Sequence, residues 1–411
     1  MTRRGWAIFA TGLAMYAGSR VIGSPNLHMI AVGVTLVPLF ALLVVILSRD
    51  RIAVSRSLAA PRAFPKARVR VDVKLENQGR TGTSLVLFED EVPSALGRNA
   101  RAVVPGIHAR GTQSVSYLVS CRRRGVFEIG PSKLFLTDPF ALARTRIDTT
   151  ETDQLIVYPE VEHLSRWPLA GFGAGAGESI AHQLYRTGEE FYGMRPYVTG
   201  DDLRRIHWPS TARTGELMIR QDEAARRAAM TAFLDTRGAA LGMGGAPAFE
   251  RAVSVAASLF SLFGEVGYAL RLSSPDTAPT VFTLESVLDH LAAVGPSRVR
   301  SLAPALTMLK RRTVADSTLV LVTAPPVAAD VPAMIRAGAG YGPKFAVLVY
   351  AADPATLDPS AQAEVEGRAS AARASLARAG WDVFILHPHQ KLAETWRNRK
   401  TRTLPVVASS S

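Results

Sequence analysis

The sequence holds a single cysteine, Cys121, among 411 residues. One thiol excludes an internal disulfide framework and fits a reducing compartment better than an oxidising one. In TQSVSYLVSC it shares the period-two face of Val115, Tyr117 and Val119, so its expected role is that of a small buried hydrophobe. Acidic residues are also scarce, 35 against 48 lysines and arginines for a net charge of +13. Such an excess suits nucleic acid or an anionic membrane surface. No zinc knuckle, basic zipper or RNA-recognition aromatic signature accompanies it, so no specific nucleic acid is expected as a partner. The chain also lacks a P-loop, a nucleophile elbow and zinc-ligand spacing. Its glycine-rich run GFGAGAG, Gly171 to Gly177, has no Lys-Ser/Thr ending and reads as a loop. Neither a cofactor nor a bound metal is expected.

What the chain does have begins with apolar length. Fifteen uncharged residues separate Arg4 from Arg20, and twenty-eight separate Arg20 from Arg49. The second stretch is long enough to cross the ~30 Å hydrocarbon core as a helix, with Leu27 to Leu47 as the expected span. The first is short, and crosses if Val21 and Ile22 are included and Arg20 snorkels to the interface. Pro25 and Asn26 would supply the turn of a two-helix transmembrane hairpin over residues 1–50. Arg3 and Arg4 precede it, and Arg49, Arg51, Arg56, Arg62 and Lys66 follow it. The positive-inside rule then places both termini in the cytoplasm, with membrane lipid as a partner. A cleaved signal peptide is the rival reading of the first stretch.

Residues 51–150 show period-two alternation. In ARVRVDVKLEN, Val69, Val71, Val73 and Leu75 alternate with Arg70, Asp72, Lys74 and Glu76, the pattern of a half-buried antiparallel strand. Further short strands and turn signals predict a small all-β sandwich. Residues 151–225 open on a strand, QLIVYPEV, and then lose periodicity. From 226 to 400, apolar strand runs alternate with amphipathic helices, which predicts an α/β doubly wound domain with a mainly parallel sheet. The remaining residues, 401–411, read as a disordered tail.

Two places carry candidate chemistry. At the end of the first strand of the α/β domain, FLDTRGA places Asp235, Thr236 and Arg237 where ligands bind in such folds. The loop resembles the first metal loop of von Willebrand factor A domains, in which an Asp-x-Ser-x-Ser pattern holds a divalent cation. Here Arg237 and Ala239 replace the two serines. A guanidinium competes with a cation for the carboxylate, and alanine offers no oxygen, so the loop reads as a degenerate metal site.

The other place is GEEFYGMRPYVTGDDLRRIHWPSTARTGELMIRQDE, Gly188 to Glu223. Asp201 or Asp202 could cap a short helix here, leaving Leu203, Ile206 and Trp208 for packing. Glu189, Glu190, Asp201, Asp202 and His207 are conceivable acid/base or metal groups. Arg195, Arg204, Arg205, Arg213 and Arg220 stand close enough in sequence to neutralise them. A structural ion-pair network is therefore the first expectation, a docking surface the second, and a hydrolase using Glu190, Asp201 and His207 the third.

This segment closely resembles the signature of the bacterial family catalogued as domain of unknown function 58. The resemblance rests on Gly188, Glu190, Arg195, Tyr197, Gly200, Asp201, Arg204, Ile206, Trp208, Ala212, Arg213 and the strand from Leu217 to Arg220. A second landmark, RRRGVFEIGPSKLFLTDPFALAR, includes Asp138-Pro139-Phe140. The resemblance implies a membrane-anchored protein with a β-sandwich and a von Willebrand A-like domain and no established catalytic activity. It further implies a MoxR-type AAA+ ATPase as partner and an association with transglutaminase-like membrane proteins. Pro209 departs from the family pattern, where a basic residue commonly follows the tryptophan. The expected function is that of a noncatalytic adaptor, with a basic lipid- or nucleic-acid-binding surface as a weaker alternative.

Overall fold

The computed structural model describes residues 1–47, 52–80, 82–83, 85–138, 140–165, 191–198, 206–222, 228–314 and 317–397. The run Gly171 to Gly177 and the tail 401–411 lie outside them. The chain is mixed α/β with several sheets, and it divides into two units, one ending at Glu160 and the other beginning at Val161.

The first unit opens with helices α1 (Arg3–Ile22) and α2 (Pro25–Leu47). Thr2 caps α1 by accepting from the Gly5 N–H, and Gly23, at φ 71°, ends it in the left-handed conformation that glycine adopts without strain. The helices run antiparallel, with Gly12 against the backbone of Thr35 and Ser19 Oγ 3.3 Å from His28 Nδ1. Among the described residues, one helical stretch, Pro25–Ile46, is long and apolar enough to cross a membrane.

Ten strands follow: β1 (Ile52–Leu58), β2 (Arg62–Ala63), β3 (Arg68–Asn77), β4 (Val86–Asp90), β5 (Ala100–Val104), β6 (Thr112–Ser120), β7 (Gly125–Ile129), β8 (Ser132–Thr137), β9 (Arg144–Asp148) and β10 (Asp153–Val157). They form three small sheets, ordered β1-β3-β6, β2-β10-β7 and β5-β4-β8-β9. The alternation in β3 buries Val69, Val71, Val73 and Leu75 in one core with Val86, Phe88, Leu134 and Leu155 from the other sheets. Cys121 lies in that core, and burial pushes its thiol pKa up.

This core also takes in charge. Arg56, on β1, has a side chain only 3% exposed and pairs with Asp90, which is fully buried. Its guanidinium donates to both Asp90 oxygens at 3.1 and 2.7 Å, to Asp153 at 3.1 Å, to Ser132 Oγ at 2.8 Å and to the Ile129 carbonyl at 3.0 Å. Tyr117 donates its hydroxyl to Asp90 at 2.5 Å. Burial and the adjacent carboxylate hold that phenol far above its ordinary pKa.

The second unit begins with an antiparallel pair, β11 (Phe191–Pro196) and β12 (Met218–Asp222), with α3 (Trp208–Thr214) between them in sequence. Its principal sheet uses β13 (Ala229–Leu234), β14 (Ala269–Ser273), β15 (Thr280–Phe282), β16 (Thr318–Thr323), β17 (Lys344–Val349) and β18 (Asp382–Leu386). The order is β15-β14-β13-β16-β17-β18. All neighbours are parallel except the β14–β15 edge pair.

The helices are α4 (Gly238–Leu241), α5 (Pro247–Glu265), α6 (Leu284–Ala293), α7 (Ala303–Arg311), α8 (Val331–Ala337), α9 (Pro359–Arg378) and α10 (Leu392–Arg397). One sheet face presents Phe233, Leu319, Leu321 and Ala346 to Leu306, Leu309, Met334 and Leu376. The opposite-pointing Met230, Ala232, Val320, Val322 and Val347 are equally buried, and α5 packs on their strands. Strands covered on both faces are buried at every position and largely apolar, which is the pattern of β13 and β16. Glu162 ties this unit together by accepting from Arg251 at 2.6 Å and from the Ala393 N–H at 2.9 Å.

Candidate functional site

The chain runs from β13 outward to β14 on one side, then returns to β16 on the other. Strand order reverses at β13, and the crevice beyond the carboxyl ends of β13 and β16 is where a doubly wound sheet binds ligands. Asp235 follows β13 directly, is fully buried, and donates its N–H to the Val322 carbonyl at 2.8 Å. Thr323, the last residue of β16, donates its hydroxyl to Asp235 Oδ2 at 2.7 Å.

Arg237 fills the crevice. Its Nε donates to Asp235 Oδ1 at 2.9 Å and its Nη2 to Oδ2 at 2.8 Å, the bidentate fork that guanidinium and carboxylate geometry favours. Its backbone N–H adds a bond to Oδ1 at 3.1 Å, and Nη1 reaches the Arg300 carbonyl at 3.0 Å and Asp330 at 4.0 Å. Burial alone would lower the Arg237 pKa, but the Asp235 hydrogen bonds and the charges of Asp235 and Asp330 outweigh it and raise it. Thr236 is 1% exposed and its hydroxyl has no hydrogen-bond partner among the described residues. Both Asp235 oxygens are thus occupied by a fixed cation and a hydroxyl. The arrangement can hold a sheet end closed, and it leaves Asp235 no free lone-pair geometry for general-base chemistry.

Of the charged segment, Glu189, Glu190, Gly200, Asp201, Asp202, Leu203, Arg204 and Arg205 lie outside the described residues. Arg195 and Arg220 fall on neighbouring positions of the β11–β12 ladder, where Arg195 pairs with Ile219 and Met194 with Arg220. The Tyr197 N–H bonds the Leu217 carbonyl at 2.8 Å and the His207 N–H bonds Met218 at 2.8 Å.

His207 is the N-cap of α3, its Nδ1 accepting from the Ser210 N–H at 3.3 Å and lying 3.0 Å from Ser210 Oγ. The cap expected at Asp201 or Asp202 falls outside the described residues, and α3, which starts at Trp208, is capped by His207. The expectation that Trp208 packs inside is corrected, because the indole is 66% exposed. Trp208 opens a helix of seven residues with no buried position, while Ile206 bridges Ile219. Arg213, in the last turn of α3, is exposed to solvent.

A third feature was not foreseen. Val331 and Ile335 of α8 and Ala371 and Ala372 of α9 line a groove, with Arg368 and Arg378 on the α9 side. The Arg368 Nε is buried without a hydrogen-bond partner among the described residues. Only the packing of two helices distant in sequence creates it, and neither helix advertises it alone.

Residues 193–376 match the family described as protein of unknown function DUF58. No curated protein matches the chain. Among solved structures, a CARDB domain from Pyrococcus furiosus is 13% identical, covering 26% of this chain and 91% of that one with a TM-score of 0.19. An alkylpurine DNA glycosylase from Pseudomonas fluorescens is 10% identical, covering 32% and 39% with a TM-score of 0.18. A beta-glucosidase from Listeria innocua is 11% identical, covering 26% and 16% with a TM-score of 0.17. TM-scores this low carry no argument about fold or function. The family match extends from the β11–β12 pair into α9.

Proposed function

We propose that this chain is a noncatalytic, membrane-anchored interaction protein whose parallel-sheet unit presents a surface to a cytoplasmic partner. The observation that carries the reading is the closed sheet end, where Arg237 occupies both oxygens of Asp235 at 2.9 and 2.8 Å. A von Willebrand A-like domain with this loop would bind partners without a divalent cation. The apolar helix α2, packed antiparallel on α1, supports a two-span hairpin with both termini in the cytoplasm.

The partner that the family resemblance implies is a MoxR-type AAA+ ATPase, acting in the assembly or maturation of client proteins, with a transglutaminase-like membrane protein as a further associate. The α8–α9 groove, apolar at its floor and flanked by Arg368 and Arg378, fits an acidic segment of that ATPase carrying an apolar anchor. Affinity purification after crosslinking in native membranes tests this. The expected result is an ATPase recovered with the unaltered chain and lost with Arg368→Glu/Arg378→Glu. Failure to recover an ATPase from the unaltered chain would remove the partner assignment.

A further inference from the structure

The loop after β8 meets its buried polar groups from within the protein. The Asp138 carboxylate is 5% exposed and accepts the N–H groups of Phe140 at 2.9 Å and Ala143 at 2.5 Å. The Asp138 carbonyl accepts from the Ala141 N–H at 3.0 Å, and the Asp138 N–H donates to the Ala143 carbonyl at 3.2 Å. The carbonyls of Ala141 and Leu142 are met by Thr2, whose Oγ1 donates to Ala141 at 2.7 Å and whose N–H donates to Leu142 at 2.9 Å. A loop facing water can leave such groups to solvent. Inside a bilayer each unmet group costs several kcal/mol, so non-helical backbone there must satisfy itself.

The same turn sends an apolar side chain outward. Ala141 adopts φ 57°, and Phe140 stands 73% exposed. Phe140 and Asp138 line one side of an apolar groove, and Gly33, Leu36, Val37, Phe40, Ala41 and Val44 of α2 form the other. Behind it, Leu142 and Ala143 are buried against Ala41 and Val45. Gly5 admits the Leu142 carbonyl so closely that a Cβ there would stand 2.1 Å from the oxygen.

The level of this loop along α2 follows from the helix rise. Ala41 lies six residues before Leu47 and Val45 two, about 9 and 3 Å from the helix end. A span must use ~20 residues to cross the hydrocarbon core, and the apolar stretch of α2 has 22. If that stretch crosses, the atoms touching Ala41 lie several ångström inside the bilayer boundary. The surrounding residues suit that level. Arg3, Arg4 and Arg144 are exposed beside the loop's partners, and Trp6 is 59% exposed, the mixture of cations and indole found at lipid headgroups.

We infer that residues 140–143 form a membrane-embedded anchor, with Phe140 inserted among lipid acyl chains in the groove it shares with α2. The all-β unit is thereby seated on the bilayer in a fixed pose, where a lone helical tether would let it swing. The occupant of the groove is an acyl chain, because its wall is continuous with the exposed apolar face of α2 formed by Leu36, Val37, Phe40 and Val44. This rests on the reading of α2 as a membrane span.

The test uses the full chain with Cys121→Ala, reconstituted in vesicles of phosphatidylcholine and phosphatidylglycerol. One cysteine is introduced at a time, by Phe140→Cys, Val37→Cys or Leu118→Cys, and labelled with bimane. Val37 reports the span, and Leu118, 59% exposed on β6, reports water. Nitroxide-labelled lipid and aqueous iodide serve as quenchers. The expected result is that the labels at 140 and 37 lose most of their emission to nitroxide lipid and none to iodide, with the reverse at 118. A label at 37 quenched by lipid, with one at 140 quenched by iodide, would overturn the anchor alone. A label at 37 quenched by iodide would overturn the span reading. Protection of the label at 140 from both quenchers would show the groove covered by a second copy of the chain, and would also overturn the inference.

Discussion

Removing the Arg56 guanidinium tests whether the first unit's core depends on its buried charge. Arg56→Ala leaves Asp90, fully buried, with the hydroxyls of Tyr117 and Ser132 at 2.5 and 2.9 Å and no counter-charge. It also strips a donor from the Ile129 carbonyl and separates Asp153 from its cation. Removing one partner of a buried pair costs about 3–5 kcal/mol, since the surviving charge stays desolvated. At 1.4 kcal/mol per decade that is a ~10²–10⁴-fold loss of hydrogen-exchange protection for β3 and β6 amides that open with the whole unit. The assay is native-state exchange on the full chain in nanodiscs. Arg56→Met/Asp90→Asn removes both charges and is expected to cost less than Arg56→Ala. Protection within about threefold of the unaltered chain after Arg56→Ala, or a double variant weaker than the single, would refute the charge-pair account.

Three further outcomes follow from local geometry. Gly130 has φ 102° and its Cβ would meet Arg56 Nη2 at 2.7 Å and the Glu151 carbonyl at 2.8 Å, so Gly130→Ala is expected to destabilise the same unit by ~1–3 kcal/mol or more in the same assay. His207→Ala should lower protection of the α3 amides by an amount equivalent to ~0.5–2 kcal/mol, and His207→Asn should restore most of it, because asparagine also caps. Burial lowers the His290 pKa below 6.5. The unfolded chain then binds a proton that the folded one refuses, so stability should begin to fall as pH drops below ~6.5, and His290→Gln should remove that part of the pH dependence in thermal unfolding.

Much of this architecture is legible one segment at a time. The alternation of β3 marks its buried face, the largely apolar runs of β13 and β16 mark strands covered on both sides, and α2 is evident from length and composition. Asp235 and Arg237 are two residues apart, so their pairing is within reach of the sequence. Their third member, Thr323, is 88 positions from Asp235 and enters only through the parallel register of β13 and β16. Arg56 reads as one more basic residue flanking a membrane span, yet it lies inside the β core, because its partners Asp90 and Asp153 are 34 and 97 positions away. The three-residue edge strand β15 is too short for any periodicity. The contact of Thr2 with residues 141 and 142 joins two segments that share no pattern.

The central claim is that Arg237 takes the place a divalent cation would need at the sheet end. Its most direct test is metal analysis of the purified full chain after equilibration with magnesium or calcium, beside Asp235→Ala and Arg237→Ser. The account predicts no stoichiometric metal in the unaltered chain and no change with Asp235→Ala, whereas Arg237→Ser frees both Asp235 oxygens and gains affinity for the ion. Stoichiometric metal in the unaltered chain, lost on Asp235→Ala, would contradict it.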